Sequence, residues 1–185
     1  GRQEQMEVLK QIIRNAGKAG IRSFGYNFSL AGVWGHQKHP HARGGAMSTC
    51  FDSSEIKYDA PIPKGQIWNM TYAAGDGTCL EPVSSLQLWD RLKRFLEEIL
   101  PVAEEAGVEM ALHPDDPPLR RFGGIQRMVT SLEDYKRAME IGNSPAWGVN
   151  LCLGCCSEKG GRDCALEMIR YLGARKKILS VHFRD

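Results

Sequence analysis

The sequence predicts an α/β fold, a (β/α)8 TIM barrel of which it supplies about half the strands, and three observations lead there. Helix-period and strand-period segments alternate along much of the chain, which calls for a parallel sheet joined by right-handed crossovers. Asn27, His113, Cys152 and His182 each fall at or near the C-terminal end of a predicted strand, the end at which a barrel gathers its functional side chains. The 185 residues fall short of the ~250 of a complete barrel, so 1–185 reads as a single, incomplete barrel domain. An open doubly wound sheet satisfies the alternation as well; the placement of the polar residues decides for the barrel.

Met6, Leu9, Ile12, Ile13 and Ala16 recur at helical spacing, with Gly17 and Gly20 closing the first helix. Ile21 to Phe28 (IRSFGYNF) is short and rich in β-favouring residues, so it reads as a strand with Asn27 at its end. Residues 29–78 carry Gly, Pro and His punctuation and read as a long loop or insertion at the C-terminal face, with one short strand at Gln66 to Tyr72. Ser85 opens a strong amphipathic helix whose apolar face is Leu88, Trp89, Leu92, Phe95, Leu96 and Ile99; Pro101 lies inside it and Gly107 ends it. A second strand ends at His113. Ser131 is the N-cap of a helix reaching about Ile141, and Trp147 to Leu153 (WGVNLCL) forms the third strand. Ala165, Met168, Ile169 and Leu172 give Asp163 to Leu172 one buried helical face, and Ile178 to Phe183 is the fourth strand, carrying His182.

The most informative stretch is Val108 to Pro118, VEMALHPDDPP. Val108, Met110 and Leu112 alternate with Glu109 and Ala111 and then stop at His113, after which Pro114, Pro117 and Pro118 forbid further ladder pairing. His113, Asp115 and Asp116 are thereby set on a stiff rim; a histidine capping a surface turn beside two solvated acids is the plainer alternative. Two imidazoles and one thiolate on three neighbouring strand ends suit Zn²⁺, Mn²⁺, Fe²⁺ or Co²⁺, with an oxygen ligand completing a catalytic site. The competing reading makes Cys152 a small core hydrophobe and His182 a satisfied buried histidine.

Hydrophobic residues make up 42% and charged residues 25%, enough for one globular unit with a sizeable core. The net charge of +2, with both signs interspersed, does not call for nucleic acid. No stretch approaches the ~18 apolar residues of a membrane span, and no secretory leader opens the sequence, so a cytoplasmic location is expected. Six cysteines, four of them crowded between Cys152 and Cys164, read as free thiols or a metal ligand rather than a disulfide framework.

The stretches HPDDPP (113–118), GGIQRMV (123–129), NSPAWGVNLCLG (143–154) and VHFRD (181–185), with AGIRSFGYNF (19–28) upstream, resemble the D-mannonate dehydratase family. The resemblance implies a xylose-isomerase-like TIM barrel and a divalent metal, Mn²⁺ first and Fe²⁺ or Co²⁺ as alternatives. It also implies a sugar acid as substrate, with dehydration of D-mannonate to 2-keto-3-deoxy-D-gluconate as the reaction. It maps His113, Cys152 and His182 onto three metal ligands and places the fourth, an aspartate, and the catalytic histidine and tyrosine beyond Asp185, so no acid–base residue is assigned. The chain departs from the family where SLAGVWGHQKH follows Tyr26-Asn27-Phe28, with only Trp34 in apparent correspondence, and where Cys155 and Cys156 replace a serine-containing turn. Cys152 is expected to be the only functional thiol, with Cys155 and Cys156 spectators or points of oxidation.

Removing a C2 proton from a sugar acid builds charge on its carboxylate, and that chemistry assigns roles to the remaining polar residues. Arg127 and Arg184 are candidates to clamp the carboxylate, Asn27 to hydrogen-bond substrate, and Asp115 and Asp116 to orient the metal ligands. His36, His39 and His41 in HQKHPH form either a ligand cluster or a solvated surface loop. Two other functions stay open: a metal-dependent isomerase or epimerase on the same barrel, and an inactive homologue acting by self-association. Uncovered edges of a parallel sheet also predict a homo-oligomer.

Overall fold

The computed structural model describes residues 1–30, 37–55, 58–67, 70–71 and 77–184; Trp34, His36, Tyr72 and Asp185 lie outside them. Helix α1 (Arg2–Lys18) buries Met6, Ile13 and Ala16. Ile12, expected on that face, is 46% exposed, because a turn of ~100° per residue carries it away from the stripe through Met6 and Ile13. Gly17 sits where α1 meets α2 (Ser85–Ala106): a Cβ there would come within 2.2 Å of the Ala106 carbonyl oxygen. A backbone oxygen cannot swing aside, so Gly17→Ala should separate the two helices and lower stability by about 1–3 kcal/mol. A urea unfolding midpoint equal to that of the parent would show that the helix pair opens freely.

Strand β1 (Ser23–Tyr26) is shorter than the predicted one and leaves Asn27 just past its end. Helix α2 opens at Ser85, as expected, with Ser84 as its N-cap: the Ser84 Oγ accepts from the Gln87 amide, while the Gln87 side chain accepts from the Ser84 amide at 2.9 Å. The helix runs through Pro101 and stops at Gly107, whose φ of 66° is the left-handed turn that glycine adopts freely. Strand β2 (Glu109–Leu112), helix α3 (Leu132–Ile141, capped by Ser131) and strand β3 (Trp147–Cys152) follow the predicted alternation. Helix α4 spans Leu153–Ala174, ten residues earlier than its predicted start, with a break at Gly160 and Gly161. The Gly-Gly break and the small residues before it mask the helical period in the sequence. Ile169, predicted to be buried, is 39% exposed. Strand β4 (Ile178–His182) ends the described sheet.

The four strands pair in sequence order, β1-β2-β3-β4, all parallel, and the sheet curls until β1 and β4 touch. That is the arrangement of a partial α/β barrel. All six residues of β3 are buried, as a central strand of a parallel sheet covered on both faces requires. Met110, Leu112, Trp147, Val149 and Leu151 meet Leu92, Leu96 and Ile99 of α2, Tyr135 of α3 and Met168 and Leu172 of α4 in one core.

Among the described residues, three small hairpins decorate this frame. Gln66–Ile67 pairs with Met70–Thr71 where the sequence suggested a strand, and Gln37–His39 pairs with Ser48–Cys50 where it suggested none. Arg121–Phe122 pairs with Ile125–Gln126 across Gly123 and Gly124, both at positive φ, the two-residue turn that glycines permit. Thr49 to Ser53 stands beside Pro117 to Leu119, sharing a cleft with Glu158 and Arg184. No helix among the described residues is long and apolar enough to cross a membrane.

Candidate metal centre

Strand register brings the three candidate ligands to one place. His182 is paired directly with Cys152 at the ends of β4 and β3, and the His113 amide donates to the Tyr26 carbonyl at 2.9 Å, extending the β1–β2 ladder by one residue. One nitrogen from each imidazole and the Cys152 sulfur all lie within 4.8 Å of one another, and the two rings are 5.0 Å apart. Ligands held ~2.0–2.3 Å from one ion lie no more than ~4.6 Å apart, so the set is at ion-binding size with little movement. A cleft of about 390 Å³ opens over it, lined also by Gly25, Tyr26, Asn27, Asp116, Asn150 and Arg184.

The hydrogen bonds around the imidazoles suit a metal. His113 Nδ1 faces the Pro114 carbonyl at 2.7 Å; a carbonyl only accepts, so Nδ1 carries the proton and Nε2 keeps its lone pair for a ligand bond. Asn150 lies beneath His182 with its amide group 2.9 Å from Nε2, while its Oδ1 is buried without a partner. Turning that amide by half a rotation places Oδ1 against Nε2–H, satisfies the orphaned oxygen and frees His182 Nδ1 for an ion. The donor chemistry and the orphaned oxygen both fit a divalent cation.

Cys152 is 1% exposed, yet its surroundings favour the thiolate. The Cys155 thiol bonded to it, the neighbouring His113 imidazole and the Cys155 amide at the start of α4 hold its pKa far below the usual cysteine range, overcoming burial. The bond to Cys152 and burial push the Cys155 thiol up instead. Burial weighs against a charged His113, but the thiolate and the Pro114 carbonyl outweigh it and raise its pKa. Burial, together with the neighbouring Cys164 and Cys152 thiols, pushes the Cys156 thiol up to about 12.

The acids and arginines separate into two groups. Asp115 is buried; its Oδ2 accepts from the Met128 and Val129 amides at 2.7 and 2.9 Å, and its Oδ1 lies 3.3 Å from Arg127 Nε. Arg127 is buried too, donates to the Asp116 carbonyl at 2.9 Å, and is not among the residues lining the cleft. Asp116 and Arg184 do line it: Arg184 bridges Asp116 at 3.1 Å and Glu158 at 2.8 Å. Asp116, Cys155 and Glu158 form a second group of ligand-type atoms, with this guanidinium among them. His39 pairs with Glu55 at 3.0 Å and stacks on His41, outside the cleft lining; His36 lies beyond the described residues. Asn150 was absent from the sequence-based candidates, because an asparagine inside a buried strand is not distinguishable there from a polar core residue.

Fold and site together define a parallel α/β-barrel protein with a candidate His–Cys–His centre for a divalent metal. The family model for D-mannonate dehydratase (UxuA) matches residues 1–185. The chain belongs to the D-mannonate dehydratase family. Mannonate dehydratase 2 of Halalkalibacterium halodurans is 31% identical over all of this chain and 55% of its own length. A mannonate dehydratase of Geobacillus thermodenitrificans is 32% identical over all of this chain and 53% of its own. The chain thus spans about half the length of the curated relatives it matches. The crystal structure of mannonate dehydratase from Streptococcus suis serotype 2 superposes with a TM-score of 0.78 at 33% identity, over the whole chain and 49% of that structure. A 3-keto-D-glucoside 4-epimerase from E. coli shares the fold, with a TM-score of 0.55 at 13% identity over 97% of this chain and 50% of that one.

Proposed function

We propose that this chain serves a metal-dependent lyase, dehydrating D-mannonate to 2-keto-3-deoxy-D-gluconate, with Mn²⁺ as the ion and Fe²⁺ or Co²⁺ as substitutes. The observation that carries the reading is the convergence of His113, Cys152 and His182 at the ends of three adjacent strands in a chain of this family. A bound divalent ion supplies Lewis-acid charge beside the substrate carboxylate, where negative charge develops as the C2 proton leaves.

The chain's own residues set the geometry. Pro114 and Asn150 fix which nitrogen each imidazole offers. Asn27, exposed on the cleft rim, donates or accepts a hydrogen bond with a substrate hydroxyl, and Arg184 presents a cation to its carboxylate. Asp116 holds Arg184 in place, and the buried Asp115–Arg127 pair acts at one remove, anchoring the turn that carries His113. The edge strand β4 and the residue after it leave Val181 and Phe183 50% and 88% exposed, which supports cover from a second copy of the chain. The reading is tested by following 2-keto-3-deoxy-D-gluconate colorimetrically from D-mannonate. Product should require added Mn²⁺, disappear with a chelator and disappear in His113→Ala. Dehydration that survives chelation would overturn it.

A further inference from the structure

Cys152-Leu153-Gly154-Cys155 is a C-x-x-C sequence laid across the start of a helix. Cys152 is the N-cap of α4, in extended backbone, and Cys155 is the third residue of the helix, its amide 3.5 Å from the Cys152 sulfur. The two thiols are themselves hydrogen-bond partners. Positions three apart on a helix place their Cβ atoms ~5–6 Å apart. A disulfide needs about 3.5–4.5 Å, a difference that the extended N-cap can take up. Cys152 lines the metal cleft, while Cys155, Cys156 and Cys164 line an apolar cavity behind it, where Cys156 has Cys164 as its own thiol neighbour. Arg184 lies across Gly154 so closely that a Cβ there would meet its Nε at 2.4 Å, and from that position Nη2 reaches the Cys155 sulfur at 3.8 Å.

We propose that Cys152 and Cys155 are an oxidant-sensitive pair that closes into a reversible disulfide when hydrogen peroxide enters the cleft, withdrawing the thiolate ligand from the metal site. In the first step the Cys152 sulfur attacks one peroxide oxygen as its thiol proton leaves, and the O–O bond breaks. The departing hydroxide takes a proton to become water, and Cys152 is left as the sulfenic acid. In the second step the Cys155 sulfur attacks the sulfenic sulfur; the S–O bond breaks, and its hydroxyl leaves as water with the Cys155 proton. Two thiols lose two electrons, one peroxide gains them, and two waters result. A bound ion occupies the Cys152 lone pair and slows the first step, so metal protects the pair and oxidation excludes the metal. The loss of metal rests on the reading of Cys152 as a ligand; the disulfide does not.

The test treats the reduced, metal-free chain with one equivalent of hydrogen peroxide, followed by alkylation and tryptic mass mapping. No Lys or Arg lies between Ala138 and Glu158, so Cys152, Cys155 and Cys156 share the peptide 138–159. That peptide should lose two hydrogens, with Cys156 alkylated and four of the six thiols still titratable. Mn²⁺ binding, present before oxidation, should vanish and return with dithiothreitol. Cys155→Ser should bind Mn²⁺ as the parent does, give no disulfide and leave a sulfenic acid at Cys152 that dimedone traps. A Cys156–Cys164 link in place of Cys152–Cys155, or Cys152 oxidised to the sulfinic acid beside an intact Cys155 thiol, overturns the proposal. If the reduced chain binds no Mn²⁺, the metal reading and the claimed consequence fail, while the mass shift still decides the disulfide.

Discussion

Cys152→Ser should lower Mn²⁺ or Co²⁺ affinity by more than about 100-fold while leaving the unfolding midpoint close to that of the parent. Changing a residue that merely supports a metal ligand typically weakens binding ~10–100-fold, and loss of the ligand itself exceeds that. A serine hydroxyl is isosteric enough to keep the strand end packed, but it is not deprotonated near neutral pH and is a poor partner for a borderline cation. The measurement is isothermal titration of the reduced chain, paired with the near-ultraviolet charge-transfer absorption that a thiolate gives to bound Co²⁺. Under the same conditions Cys155→Ser and Cys156→Ser should bind the ion nearly as the parent does and keep the absorption. Equal losses in all three variants would mean that the thiols act as one flexible cluster, and a Co²⁺ complex without charge transfer would remove Cys152 from the ligand set.

Asp115→Ala is expected to be the most destabilising single change at the site, by about 3–5 kcal/mol. The carboxylate is buried, and its removal orphans the Met128 and Val129 amides and strips the buried Arg127 guanidinium of its ion-pair partner. Burial raises the Asp115 pKa while Arg127 and the two amides pull it down, so its environment is a balance that no neutral residue reproduces. Urea unfolding with an unchanged slope gives the number, and Asp115→Asn, whose amide oxygen in the Oδ2 position still accepts from both backbone amides, should lose less. A loss under about 1 kcal/mol, with metal affinity falling instead, would return Asp115 to the role of a ligand-orienting acid.

The contrast between Asp115 and Asp116 shows where a reading of sequence stops. Adjacent acids in HPDDPP carry the same chemistry on paper, yet the turn sends one into the core against the 127–129 backbone and the other to the cleft beside Arg184. Arg127 and Arg184 divide in the same way, one buried under the turn and one on the cleft wall. Helix α4 illustrates a different limit: Gly160 and Gly161 interrupt it, and the residues before them carry the Cys152–Cys155 pair without a helical hydrophobic period to announce it.

Strand and helix identity follows from residue pattern because burial of one stripe or one face is a local property of the chain. Met110 and Leu112 alternate, Leu88 to Ile99 recur at helical spacing, and Ser84, Ser131 and Gly107 mark ends through hydrogen bonds made within a few residues. The sequence by itself therefore determined the α/β alternation, the strand ends and the histidines and cysteine that stand on them. Tertiary structure decided what lies opposite what. Parallel register sets His182 against Cys152, Asn150 beneath His182 and Arg184 across Gly154, pairings between residues about thirty positions apart. No local period encodes such pairs; they arise only when the sheet is assembled and its curl brings the strand ends to one point.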